Sequence, residues 1–460
     1  MTEAMTEAMP DPGRLTLVLR FADLGVATYA SLRVVGQPSR TVTWVIEEPI
    51  LLAALRELAA ALPEPSESED PRDAVERALT EGPFAAPGTE LELAYLLGVL
   101  LISPPAWQLL VDCVAAPRAA LFVSPSARLA RVPWGLLALP KAGPTAAELV
   151  RARANAITLS GTMPADIPWR STDISDRTDG YRLLELADVL LALPQNIAHA
   201  PRTPAGWRAR RDGPAVLILD PRVPGQRPDS TLGSVLGRPS EGSPLTRHFA
   251  ELMRHRTVLP HADTAVALFR RKDVDRQWLS ESLDEAPSRI LYVGHASSAE
   301  GNADRAALHL ACAARFAGSA DAIGEHRPLT ASDVMSLQLP IPPRVALLAC
   351  GSGGDYQFDE ATGLVAAMVM GGAELVTATL WPLPTAAAYR LYAPAVAEAP
   401  EFDPMADLIL GIERAHEADE AGCAVNRWQR ERMRRWRDGD RTASPLYWAA
   451  LVTFAVDGTR

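Results

Sequence analysis

Two apolar runs in this chain end in side chains that can pass a proton and attack a carbonyl. RILYVGHA (289–296) delivers His295, and RVALLACGSGG (344–354) delivers Cys350, 55 residues further on. A cysteine attacks as its thiolate, and a nearby imidazole can take the thiol proton and return it to a leaving amine. Gly351, Gly353 and Gly354 follow the cysteine. They let the chain turn sharply and let a substrate backbone come close, and amides at such a turn can hold an oxyanion. Each residue also has a plain structural reading. A cysteine at a strand end is often a small buried hydrophobe, and a histidine there is often a satisfied core group. A third reading takes CGSGG as a glycine-rich loop that cradles phosphate, although it lacks the lysine such loops carry.

The elements that would position these residues alternate between strand and helix. RLTLVLRF (14–21) and VATYASLRVV (26–35) read as two strands joined near Asp23–Gly25, and 50–62 reads as a helix ending at Pro63. PEPSESEDPRD (63–73) is an acidic, proline-rich linker. Beyond it, 89–102 has helical character. The runs 119–125, 215–220, 289–296, 344–350, 374–381 and 447–456 read as strands, with helices at 358–372 and along 406–436. Continuous apolar strands alternating with helices predict a parallel sheet buried on both faces in a three-layer α/β/α sandwich. Open parallel sheets place functional residues beyond the carboxyl ends of their strands, which is where His295 and Cys350 fall. Residues 221–246, rich in Pro, Gly and Ser, form a long irregular loop on that side. We divide the chain into an N-terminal α/β extension, 1–84, and a main domain, 85–460.

Composition narrows the function classes. The chain has 460 residues, 48% hydrophobic and 22% charged, with a net charge of −11. That balance argues against a general nucleic-acid binder, which must neutralise phosphates. The arginine-rich segment RWQRERMRRWRDGDR (427–441) reads as a helix face with Trp428 and Trp436 as packing anchors. Four cysteines without a C-x-x-C pair make neither a disulfide framework nor a metal site. The acidic N-terminus lacks the apolar region of a signal peptide, and 96–102 is too short to span a membrane. The expected location is the cytoplasm, where thiols stay reduced.

Five blocks resemble the CHAT family, peptidases related to caspases and separases. They are ARLARVPWGLLALP (127–140), LYVGHA (291–296), VALLACGSG (345–353), DEATGLVAAMVMGGAELVTATLWPLP (359–384) and SPLYWAALVTFAV (444–456), in the family's order. The resemblance implies a caspase-like sandwich with a catalytic dyad of Cys350 and His295. The oxyanion donors would be the backbone N–H groups of Cys350 and Ala296. Relatives usually carry glycine after the histidine, and a Ser-Ala-Cys run followed by an acidic residue and Thr, so GHA and LLACGSGG depart from the pattern. It further implies an endopeptidase that cuts a partner protein in bacterial defence or signalling, answers to a separately encoded activator, and uses no metal or organic cofactor. Asp355, Asp359 and Glu360 are candidate substrate-binding carboxylates for a basic P1 side chain. The last two also suit the N-terminus of the helix that follows. The alternatives are a catalytically silent caspase-like scaffold and a nucleotide- or phosphate-binding domain.

Overall fold

The computed structural model describes residues 13–66, 68–143, 148, 173–204, 206–227, 230, 232–297, 303–349, 359–399 and 402–456, apart from the side chains of 359–362. Cys350 and Asp355 lie outside the described residues. So do Gly351, Gly353 and Gly354.

The chain begins with an antiparallel meander of β1 (Thr16–Asp23), β2 (Ala27–Val34) and β3 (Gln37–Glu47). Buried and exposed positions alternate along β1 and β2, so one face meets the core and the other meets water. Leu17, Leu19 and Leu32 are fully buried, each stabilising the fold by about 1.5–3 kcal/mol. The helices α1 (Glu48–Ala61), α2 (Pro87–Leu101) and α3 (Pro104–Val111) follow, each with proline in its first turn. Proline suits that position because the N–H it lacks would have no intrahelical partner. The α2–α3 pair bends by 106° and is largely buried. Among the described residues no single helix is long and apolar enough to cross a membrane.

Further along lie β4 (Ala119–Ser124), β5 (Ala187–Leu191), β6 (Ala215–Leu219), β7 (Val258–Leu259) and β8 (Arg289–Gly294). Three short strands, β9 (Ala296–Ser297), β10 (Ala307–Leu308) and β11 (Leu329–Thr330), form a separate small sheet. The chain then supplies β12 (Arg344–Ala349), β13 (Leu375–Thr379) and β14 (Leu451–Ala455). Among the described residues the main sheet has eleven strands in the order β3-β2-β1-β4-β5-β14-β13-β12-β8-β6-β7. The meander therefore extends the same sheet that carries β8 and β12. Every position of β6, β8, β12 and β13 is buried, so helices cover both faces there, and these strands pair in parallel. This is the mixed α/β sandwich, with a mostly parallel sheet, that the apolar runs predict.

The elements differ from the sequence reading in places. The 406–436 stretch is two helices, α4 (Pro404–Glu417) and α5 (Ala421–Arg437), because the backbone turns extended at Ala418. In the 447–456 run, Ser444 caps a short helix at Pro445–Trp448, so the strand starts only at Leu451. That strand runs antiparallel to β13. Beside it, β5 joins β14 through one register pair, Phe454 with Leu191. Asn426 of α5 completes the ladder there, accepting from Val189 N–H at 2.7 Å and donating to Val189 C=O at 3.1 Å.

Candidate active site

Parallel pairing aligns Ala349 of β12 with Gly294 of β8, and Leu219 of β6 with Val293. Three strands thus end level at one edge of the sheet. The residue after Gly294 is His295, whose side chain is buried. The residue after Ala349 is Cys350.

His295 emerges from a tightly built corner. Tyr292, fully buried on β8, donates its hydroxyl to the His295 carbonyl and, at 3.4 Å, to the carbonyl of His309. The ring leaves no room for a side chain at position 294. A Cβ there would sit 2.7 Å from the Tyr292 hydroxyl and 3.3 Å from Pro221. Gly294 is therefore demanded by close approach rather than by backbone angle.

The His295 ring lies 3.0 Å, through Nε2, from the carbonyl oxygen of Gly233. A carbonyl only accepts, so Nε2 carries the hydrogen and donates. That tautomer leaves Nδ1 as the ring nitrogen able to accept a proton. Gly233 belongs to the 221–246 run that the sequence reads as an irregular loop; the helix Pro244–His255 takes up its last three residues, and Gly233 reaches the histidine directly.

Ala296 opens the small sheet. His309 N–H donates to the His295 carbonyl at 3.0 Å, and Ser297 pairs with Ala307. In that register Ala296 faces Leu308 as a non-hydrogen-bonded pair, so its N–H points away from β10. An amide in that position is not consumed by the ladder.

Behind this strand runs a chain of three side chains. The Cys312 carbonyl accepts from His326 Nδ1 at 2.9 Å, so His326 Nε2 accepts in turn from His309 Nδ1 at 3.1 Å. His309 Nε2 then accepts from the Ser297 hydroxyl at 3.0 Å. Burial, reinforced by His326 and His295, holds His309 down to about 3, and burial also lowers His326. Both rings stay neutral at ordinary pH, and the chain keeps one direction. His309 and the Cys312 carbonyl thus become part of a hydrogen-bonded support for the strand after His295.

The other candidates are dispersed or lie outside view. Asp359 and Glu360 begin the helix Asp359–Met370. The arginines of 427–441 are largely engaged inside the chain. Arg430 pairs with Asp188, Arg432 with Asp407, Arg435 with Asp440 and Arg437 with Glu185. Sequence reasoning missed Gly233, Tyr292 and the His309–His326 pair. A tyrosine three residues before His295 on the same strand was the one available signal.

A family model described as the CHAT domain matches residues 91–455. The chain belongs to the CHAT-domain family, a family of caspase-like proteins. No curated protein sequence matches it. Two crystal structures of the Saccharomyces cerevisiae separase–securin complex are similar, at 10% and 11% sequence identity and TM-scores of 0.39 and 0.40. In both, the match covers 96% of this chain and 30% of the other, so the chain spans less than a third of the proteins it matches.

Proposed function

We propose that this chain is a cysteine endopeptidase that cuts a partner protein, with Cys350 as nucleophile and His295 as its acid–base partner. The observation that carries the reading is the donation from His295 Nε2 to the Gly233 carbonyl. It leaves Nδ1 as the basic nitrogen, one residue past the pair Gly294–Ala349 that precedes His295 and Cys350. In the proposed reaction the Cys350 thiol gives its proton to the imidazole, and the thiolate adds to the scissile carbonyl carbon. The oxyanion accepts hydrogen bonds from the amides of Cys350 and Ala296. As the C–N bond breaks, His295 returns the proton to the leaving amine. Water, deprotonated by the same imidazole, then releases the acyl group from sulfur.

The substrate side rests on fewer residues. A basic P1 side chain fits the acidic segment after the nucleophile, with Asp355 as the pocket carboxylate and Asp359 and Glu360 as secondary candidates. A library of peptides varied at P1 tests it. Selectivity unchanged in Asp355→Ala, or a preference for Asp or small residues, removes this part of the proposal. A bacterial setting and a separately encoded activator belong to the same reading. The isolated chain is then nearly inactive, and rapid, partner-independent cutting of unrelated proteins contradicts it.

Iodoacetamide alkylation, followed by peptide mass spectrometry, tests the dyad. Cys350 labels fastest among the cysteines of the native protein, and labelling slows in His295→Ala. Cys113, Cys312 and Cys423 are buried, and burial raises each of their thiols, Cys423 to about 11. They form an internal slow-reacting control. Labelling of Cys350 that ignores His295 favours a silent scaffold. Stabilisation by ATP, with no fast thiol, favours a nucleotide-binding domain.

A further inference from the structure

The Gly233 carbonyl that fixes the His295 tautomer lies in a stretch without regular secondary structure, so something must hold it. The strand next to β8 ends in a residue with no part in the proposed reaction. Asp220 follows β6, is 1% exposed, and donates its N–H to the Val293 carbonyl at 2.7 Å, two residues before His295. Its carboxylate is directed at the loop. Oδ1 accepts from Val235 N–H at 3.2 Å and from Arg270 Nη1 at 3.0 Å. Oδ2 accepts from the Ser234 hydroxyl at 2.6 Å and from Leu236 N–H at 3.2 Å. Asp220 thus binds three consecutive residues, 234–236, directly after Gly233.

Arg270 completes the arrangement from a neighbouring loop. Its N–H donates to the Leu219 carbonyl at 3.1 Å, and the nitrogen that meets Asp220 also donates to the Gly233 carbonyl at 3.2 Å. That oxygen therefore takes one bond from Arg270 and one from His295. Both Asp220 and Arg270 have left-handed backbone, at φ 52° and φ 54°. Asparagine and aspartate tolerate that region, whereas arginine rarely adopts it. Two such residues at one strand end mark a place where surrounding contacts hold the backbone against its preference.

We propose that Asp220 and Arg270 are positioning residues, a latch that holds the Gly233 carbonyl against His295 and so selects the tautomer with Nδ1 basic. The assignment rests on the reading of His295 as the acid–base residue. A simple core ion pair explains less. Such a pair contributes little beyond an apolar replacement, and it gives no reason for a carboxylate to gather the three residues that follow Gly233. The latch also gives the 221–246 loop a definite route to the site, because displacing residues 233–236 withdraws the acceptor from His295.

The test uses the full chain labelled with [15N]histidine, its His295 signals identified by their loss in His295→Gln. In the native protein His295 gives a protonated Nε2 and an unprotonated Nδ1 at neutral pH. Arg270→Met, checked for folding by circular dichroism and thermal melting, gives a mixture of tautomers, while Arg270→Lys keeps the native one because an ammonium still reaches both oxygens. Alkylation of Cys350 by iodoacetamide at pH 7 slows about tenfold in Arg270→Met, part of what a positioned base supplies. Should Arg270→Met not fold, Arg270→Gln decides, since its amide carries no charge and its nitrogen falls two bonds short of the guanidinium's reach to both acceptors. An unchanged His295 tautomer in either folded variant overturns the latch. If instead the tautomer responds but alkylation of Cys350 never depends on His295, the latch stands and the peptidase reading falls.

Discussion

The two ends of strands β8 and β12 differ in what their polar residues are for. Both strands begin with arginine and run through apolar residues, and each is followed by a chemically able side chain, in RILYVGH and RVALLAC. At the amino ends the arginines are buried and engaged with α4. Arg289 pairs with Glu413, and with Glu417 at 2.5 Å. Arg344 donates to the carbonyls of Ala418 and Asp419 at 2.6 and 2.7 Å, just past the helix C-terminus, with its guanidinium 3.4 Å from the Trp207 ring centre. These groups neutralise one another and close a helix end. At the carboxyl ends the His295 imidazole is held by a loop carbonyl, and the ion pair of Asp220 and Arg270 secures the loop that carries it. The contrast separates residues that keep the sheet standing from residues that can react.

The largest expected effect lies at the carboxyl ends. Cys350→Ala and His295→Ala each lower peptide cleavage by about 10³-fold or more, and the double variant is no worse, because the two act as one unit. Urea unfolding moves by only about 1 kcal/mol in His295→Ala, the worth of its bond to Gly233. Cleavage that survives in Cys350→Ala ends the comparison as drawn.

The amino ends should behave oppositely. Glu413→Ala leaves the guanidinium of Arg289, 1% exposed, without its main partner. Stability in urea should fall by about 3–5 kcal/mol, while alkylation of Cys350 in the folded fraction keeps its native rate. A loss of labelling without a loss of stability would mean that the two ends are not independent.

Acid weakens both ends by the same route. Burial holds His416, beside the amino ends, and His309, beside the carboxyl ends, down to about 3. Unfolded, each takes up a proton near pH 6.5, whereas folded each stays neutral until about pH 3. As pH falls from 6.5 towards 3, each therefore withdraws up to about 1.4 kcal/mol of stability per unit. Equilibrium unfolding in urea at stepped pH reads the slope, which should become shallower in His416→Gln and in His309→Gln. Equal slopes in all three proteins would mean that these rings are not held neutral.

The smallest effect belongs to the arginines of α5 that face water. Arg435 and Asp440 are each more than a third exposed, so Arg435→Ala should change stability by less than about 1 kcal/mol. A larger loss would place Arg435 among the supports of the sheet rather than at its surface.

How much of this was readable in advance depends on the reach of each signal. Fully buried parallel strands announce themselves as unbroken apolar runs, so β6, β8, β12 and β13 were legible, as was the edge at which His295 appears. Short strands were not. ADVLL of β5 follows LLEL without a break in apolar character, and a five-residue run fits helix or strand equally. QPSRTVTWVIE of β3 opens with proline and polar residues, which read as turn. Residue type and order by themselves determined the α/β class, the family and the pairing of a histidine with a cysteine as candidates. Only the tertiary structure decided that Gly233, 62 positions before His295, supplies the acceptor for its ring. It likewise decided that His309 and His326 join into one neutral chain. The physical reason is that hydrophobic period is a local property of the chain. A hydrogen bond to a loop carbonyl exists only once strands far apart in sequence have brought both partners to one edge of the sheet.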